Sequence, residues 1–372
     1  MRMATISEVA DVIMGQAPAG DAYNDNREGL PLIAGASDFG QLTPEPSRYT
    51  TVSPKRSYKD DIILCVRATI GDLNWSDREY CLGRGVAGIR AHDDKVDRRY
   101  LWRALEANTS GLRHLGRGAT FLQITRKDIA EYSIPLPPLP EQRRIAAILD
   151  QADALRSLRR QSLSRLSDLG QAIFFKMFGD PATNPFGFKR ASLGEIIKFQ
   201  GGSQPAKSTF LYEDGADRVR LVQIRDFRTD NYKTYVPAHL AKRPFTEKDV
   251  MIGRYGPPVF QIFRGLSGTY NVALMKAAPV KGIGEDFVFY LLQEPKLHRH
   301  IVANSERTAG QSGVNLELLE KYPAYFPPED RQSDFIDRIS VVDDMSAKLE
   351  LAMRNAESLF ASLQHRAFRG EL

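Results

Sequence analysis

Cysteine is almost missing from this chain, with only Cys65 and Cys81 in 372 residues. Both sit in apolar surroundings, which excludes a disulfide framework and a cysteine metal site and reads as two buried thiols. No apolar run approaches the roughly 20 residues of a membrane span. The opening MRMATISEVADV carries acids and lacks a signal-peptide core, so a cytoplasmic protein without membrane association is expected. Catalytic signatures are missing too. The segment GGSQPAKS at 201–208 departs from the phosphate loop GxxxxGK(S/T) where Ala206 replaces glycine, and no helix is expected after it. AsnProPhe at 184–186 lacks the second proline of an amino-methyltransferase tetrapeptide, and no glycine-rich cofactor turn accompanies it. His298 and His300 have no third ligand nearby, and no GxSxG or paired-carboxylate arrangement occurs. Catalytic residues, metal ligands and cofactors are therefore not expected on this chain.

Proline is also absent where its absence is informative. Four prolines, Pro135, Pro137, Pro138 and Pro140, punctuate PLPPLPEQ, and then about forty residues follow with no proline before Pro181 and one glycine before Gly179. Each proline fixes φ and removes a backbone donor, so the pattern predicts a helix over 138–180. At about 1.5 Å per residue it would be on the order of 55 Å long, which calls for an equally long partner. Its apolar stripe holds Ile145, Leu149, Ala152, Leu155, Leu166, Leu169 and Ile173. The segment 328–372 has the same construction. A shift of 190 residues carries Pro137, Pro138 and Gln142 onto Pro327, Pro328 and Gln332, and carries Ile145 onto Phe335, Leu149 onto Ile339 and Leu169 onto Leu359. Its stripe is Phe335, Ile339, Val342, Leu349, Ala356, Leu359 and Leu363. Two such helices are expected to pack antiparallel as a coiled coil.

The remaining segments repeat as well. AlaSerLeuGlyGluIleIle at 191–197 follows the plan of AlaThrIleSerGluValAla at 4–10, both read as strand-like, with Gly202 on Gly15 and Asp226 on Asp38. AspIleIleLeuCysVal at 61–66 is a buried strand closed by Arg67, and LysAspValMetIle at 248–252 matches it. The helix expected near Tyr100 has its counterpart at 287–293. The fold class is α+β, with two similar mixed globules at 1–137 and 181–327 alternating with the two helices and an internal pseudo-two-fold. The globular segment 181–326 carries 20 Lys and Arg against 14 Asp and Glu, and the last helix 6 against 9. A basic globule and an acidic helix permit an anionic partner without requiring one.

The PLPPLPEQRRIAAILD start of the first helix, its degenerate second copy and the closing PheArgGlyGluLeu resemble the specificity subunit of type I restriction-modification enzymes over the full length. The resemblance implies two target recognition domains, each reading half of a bipartite site in double-stranded DNA, held apart by the helices. It also implies two methyltransferase subunits docked around the helices and restriction subunits with translocase and nuclease activity. AdoMet, ATP and Mg would then belong to those partners. The second helix departs from the pattern, with AspArgGln where the first has GluGlnArg. A self-sufficient methyltransferase or nuclease, or a coiled-coil adaptor that touches no DNA, are the rival readings.

Arg suits guanine and phosphate, and Gln or Asn suits adenine, because their donor and acceptor pairs match those edges. At the loop tips of the first globule this selects Gln16, Lys55, Arg56, Arg67, Arg84, Arg117, Thr120, Gln123 and Arg126. In the second it selects Gln204, Lys207, Arg225, Arg228, Arg254, Tyr255, Arg264, Arg307, Gln311 and Asn315. Arg67, Arg117, Gln123, Arg225, Arg254 and Gln311 follow strand ends or lie in glycine loops at corresponding places of both copies.

Overall fold

The structure is a computed structural model that describes residues 2–118, 122–308 and 311–372, with the side chains of 306–308 and 311–312 left out. The chain forms two compact units, one of residues 1–160 with 351–372 and one of residues 161–350. Each long helix, Leu139–Phe178 and Glu329–Ala367, contributes to both units.

In the first unit an antiparallel sheet runs Ala10–Met14, Val86–Ala91, Ile62–Cys65, Leu73–Trp75. In the second, Ile197–Gly201, Leu274–Pro279, Val250–Gly253 and Gln261–Phe263 follow the same order. Each unit adds a further sheet containing one parallel pairing, Leu30–Ile33 with Tyr80–Leu82 in one and Arg218–Val222 with Gly268–Tyr270 in the other. The segments read as strand-like at 4–10 and 191–197 contain a helical turn instead, Ile6–Val9 and Leu193–Ile196. A capping box explains it: the Glu8 carboxylate accepts from the Thr5 N–H, and that of Glu195 from the Ser192 N–H.

The two long helices run antiparallel within each unit. In the first, Arg144 donates to the Leu372 carbonyl, Arg156 lies 3.6 Å from the Phe360 ring centre, and Arg159 donates to the Ala352 carbonyl. In the second, Arg331 donates to the Met177 carbonyl and Phe335 packs against Phe174 and Phe178. One row of unexposed positions on the central helix steps by three and four through Gln142, Ile145, Leu149, Ala152, Arg156, Arg159, Leu163, Leu166, Gly170, Ile173 and Met177. The last helix does the same at Gln332, Phe335, Ile339, Val342, Ser346, Leu349, Met353, Ala356, Phe360, Leu363 and Ala367. This is the heptad spacing of a packed seam. Leu155, Leu169 and Leu359, expected on the stripe, lie one residue off it and are 54%, 47% and 57% exposed. Arg156, Gly170 and Phe360 hold the adjacent seam positions.

The shared glutamine explains the prolyl start of both helices. Gln142 Oε1 accepts from the Asp97 N–H at 2.8 Å, while its Nε2 donates to the Pro137 and Lys95 carbonyls at 2.8 and 3.3 Å. Gln332 does the same with the Gly284 N–H and the Pro327 and Gly282 carbonyls at 2.8, 3.1 and 2.9 Å. Each buried amide fastens its globule to the first turn of a long helix. Gln142→Ala strands one donor and two acceptors, and should lower stability by about 1–3 kcal/mol in urea unfolding. A variant as stable as the parent would contradict this role.

A second fastening holds the first unit together. Arg103, only 7% exposed, meets Glu106 and Asp150 at 2.9 Å and Asp153 at 3.1 Å. Burial raises the Asp153 carboxyl, but Arg156 and Arg103 outweigh burial and hold it below the usual carboxylate range. Its contribution to stability is complete above about pH 4 and is lost as pH falls through that lowered value.

Candidate nucleic-acid interface

In the first unit, three chain segments bring selected residues together. Arg67 follows the strand Ile62–Cys65 and pairs through the backbone with Gln123, which also pairs with Arg117 through two 2.9 Å bonds. Next to Arg67, Ala68 adopts φ 58°, a left-handed conformation that costs a non-glycine residue about 1 kcal/mol or more. Its N–H donates to the Leu122 carbonyl at 3.1 Å, which holds the turn. Arg67 and Arg84 line a cleft of about 500 Å³ whose wall includes Arg48, a residue that sequence reading passed over. Gln16 is exposed just beyond Gly15, where a Cβ would come within 2.0 Å of the Gly83 carbonyl oxygen. Lys55 is exposed, and Arg56 faces Glu79 at 3.7 Å. Arg117 faces Asp128 at 3.4 Å with a side chain 79% exposed. The Arg126 guanidinium donates to the Val12 carbonyl and is held against that strand. Thr120 lies outside the described residues.

The second unit builds the corresponding corner. Arg254 follows the strand Val250–Gly253, Tyr255 bridges to Gly313, and the Val314 N–H donates to the Arg254 carbonyl, as that of Ile124 does to Val66. The side chains differ in chemistry. Arg254 lies 5.2 Å from the Tyr255 ring, Arg225 lies 5.6 Å from Tyr232 and bonds Thr234, and Arg228 donates to Gln261. Tyr212, Arg225, Tyr232 and Tyr235 share a second cleft of about 510 Å³. Gln204 and Lys207 are exposed, the latter in a single 3₁₀ turn, Lys207–Thr209. Arg307 and Gln311 lie on the paired strands Glu306–Thr308 and Gln311–Gly313, with their side chains outside the described residues.

Two selected residues serve the fold. Arg264 bonds Asp286 at 2.8 Å and Asp343 of the last helix at 2.6 Å, and its guanidinium covers the Phe289 ring at 4.0 Å. A loop arginine cannot be told from a ligand-facing one until its distant carboxylates are located. Arg264→Ala should cost about 1–2 kcal/mol, since the three side chains are a quarter to a third exposed. Equilibrium unfolding checks this. Asn315 caps the helix Leu316–Glu320, its Oδ1 accepting from the Leu318 N–H at 3.1 Å. Among the described residues no cluster of three His, Cys, Asp or Glu could hold a metal. Among them too, no helix is long and apolar enough to cross a membrane.

Residues 1–167 match the family described as type I restriction modification DNA specificity domain. The type I restriction enzyme EcoBI specificity subunit of Escherichia coli is 22% identical over 421 positions, spanning 99% of this chain and 85% of that one. The first 167 residues thus match that domain family, and over nearly its full length the chain is similar to a type I restriction enzyme specificity subunit. A putative specificity subunit, MjaX, of Methanocaldococcus jannaschii is 39% identical over 155 residues, 42% of this chain and 36% of that relative. Among solved structures, the S subunit of a type I system from M. genitalium shares the fold with a TM-score of 0.57 at 16% identity. The alignment covers 99% of this chain and 96% of that one. A chain from a structure describing complex assembly and conformational transition of the type I R-M system aligns with a TM-score of 0.51 at 18% identity. It spans 100% and 98% of the two chains.

Proposed function

We propose that this chain is the DNA sequence-recognition subunit of a type I restriction-modification complex. Residues 1–137 and 181–327 each read one half of a bipartite duplex target. The helices 138–180 and 328–372 pack lengthwise as an antiparallel coiled coil, related by an internal pseudo-two-fold, and set the spacer between the half-sites. Methyltransferase subunits, two of them, dock on this rod, and restriction subunits join the assembly. Adenine methylation with AdoMet and ATP-dependent cleavage with Mg belong to those partners; this chain supplies address and scaffold.

The observation that carries the reading is the same corner built twice. A strand end bearing Arg67 or Arg254 is buttressed by the segment at Gln123 or Gly313 on sheets of identical strand order. Two readers of one design suit two half-sites on one duplex. The docking assignment is supported by large apolar side chains off the seam: Leu155, Leu158, Leu351 and Leu359 in the first unit, and Leu169, Phe175, Val341 and Met345 in the second, all at least 47% exposed.

The complex with its methyltransferase partner tests the reading. Arg67→Ala and Arg254→Ala should each weaken binding of the methylated target sequence by about 10- to 100-fold, the worth of one bidentate arginine contact. Parent binding should fall steeply with salt. Salt-insensitive retention, or methylation unchanged in both variants, would favour an adaptor without DNA contact.

A further inference from the structure

We propose that Arg48 completes, with Arg67 and Arg84, a guanidinium site in the first domain for an acceptor pair on DNA, either the O6 and N7 edge of guanine or two phosphate oxygens. This rests on the DNA-reading assignment above and adds to it a residue that no sequence signal marked.

The three arginines come from separate segments and line one cleft of about 500 Å³ that contains no Asp or Glu. Among the described residues none of the three side chains has an ion-pair, hydrogen-bond or aromatic partner, whereas Arg225, Arg228, Arg254 and Arg264 of the second domain all do. Three like charges on one concave wall repel one another unless an anion or an acceptor-rich edge enters. Their backbones are fixed in advance. The Leu32 N–H donates to the Arg48 carbonyl at 2.9 Å, and the N–H groups of Gly83 and Gly85 donate to the Ile33 and Ala34 carbonyls at 2.8 and 3.1 Å.

The glycines flanking Arg84 are required by this closeness. A Cβ on Gly85 would stand 2.1 Å from the Ala34 oxygen, and one on Gly83 would stand 2.8 Å from the Ile33 oxygen. Gly35, also in the wall, faces open space, since a Cβ there would meet no atom within 4 Å. A ligand edge can therefore reach the floor while the guanidinium groups close around it. Fixed backbones confine the ordering entropy of binding to the side chains, and a guanidinium fork matches a paired acceptor.

The test uses the full chain in complex with its methyltransferase partner and two duplexes of equal length, one carrying the sequence that the complex methylates and one random. Arg48→Ala should weaken target binding by about 10-fold or more. Thermal melting should be unchanged, because the Arg48 side chain is exposed and only its backbone is bonded. A phosphate site gives the same factor on both duplexes, lowers the logarithmic salt slope by about one, and is largely rescued by Arg48→Lys. A guanine site gives a penalty confined to the target duplex, absent when one base pair of the first half-site is already replaced, and unrescued by lysine. Arg48→Ala binding within twofold of the parent, while Arg67→Ala loses affinity, overturns the inference and leaves the DNA reading standing. Unchanged binding in Arg48→Ala, Arg67→Ala and Arg254→Ala together overturns both.

Discussion

Phe335→Ala is expected to lower stability by about 4 kcal/mol, the middle of the range for a buried aromatic ring. Phe335 is fully buried, and its ring meets those of Phe174, Phe178 and Tyr290 at 5.7, 5.4 and 5.3 Å, all near edge-on. Truncation removes three such contacts and leaves a cavity that Gly170 cannot fill, since its bare Cα already faces the Tyr290 ring. Leu359→Ala on the same helix should stay within about 0.5 kcal/mol, because that side chain is 57% exposed. Under the proposed docking on the rod, Leu359→Ala should instead weaken capture of the methyltransferase subunit. Urea unfolding of both variants, followed by pull-down with the partner, measures the pair. Comparable stability losses would mean that the seam has been placed on the wrong residues.

Exchanging residues 181–326 for those of a relative with a different target should replace one half-site completely and leave the other as it was. The change in preference should be on the order of 1,000-fold or more, the usual gap between specific and non-specific duplex binding. The physical basis is that the two main cores share no residue. One is built around Ile6, Ile62, Leu101 and Leu149, and the other around Leu193, Ile252, Phe287 and Phe335. The second core draws Phe174, Phe178 and Phe335 from the long helices, so a donor must keep an aromatic at the place of Tyr290 to fit over Gly170. Methylome sequencing of a host carrying the exchanged chain with its partners reads the result. Replacement of both half-sites would contradict independent reading.

The duplicated plan was legible because a constant shift preserves residues that helical periodicity does not demand. Gln142 and Gln332 are the clearest case, and their matching hydrogen bonds give the reason. The seam was legible in its spacing and misread only at Leu155, Leu169 and Leu359. From Ala152 a step of three reaches Leu155 and a step of four reaches Arg156; choosing the apolar residue led away from the buried row, where Arg156 stacks on Phe360. Choosing Leu169 over Gly170 made the same error, since the glycine is buried to admit Tyr290. In the loops, Arg67 and Gln123 could be chosen from their positions after a strand and a glycine. Arg48 could not, because nothing near it in the chain announces the cleft.

The amino acids alone determined that this protein has two similar α+β globules and two long amphipathic helices, because proline placement, three-and-four spacing and a repeated register are local properties of a chain. Tertiary structure decided which apolar residues are covered and which arginines are spent on carboxylates, as Arg264 is, or have no side-chain partner among the described residues, as Arg48, Arg67 and Arg84. The reason is electrostatic and steric. A guanidinium takes its role from whatever anion lies within about 4 Å of it, and that neighbour can stand 79 positions away, as Asp343 does from Arg264.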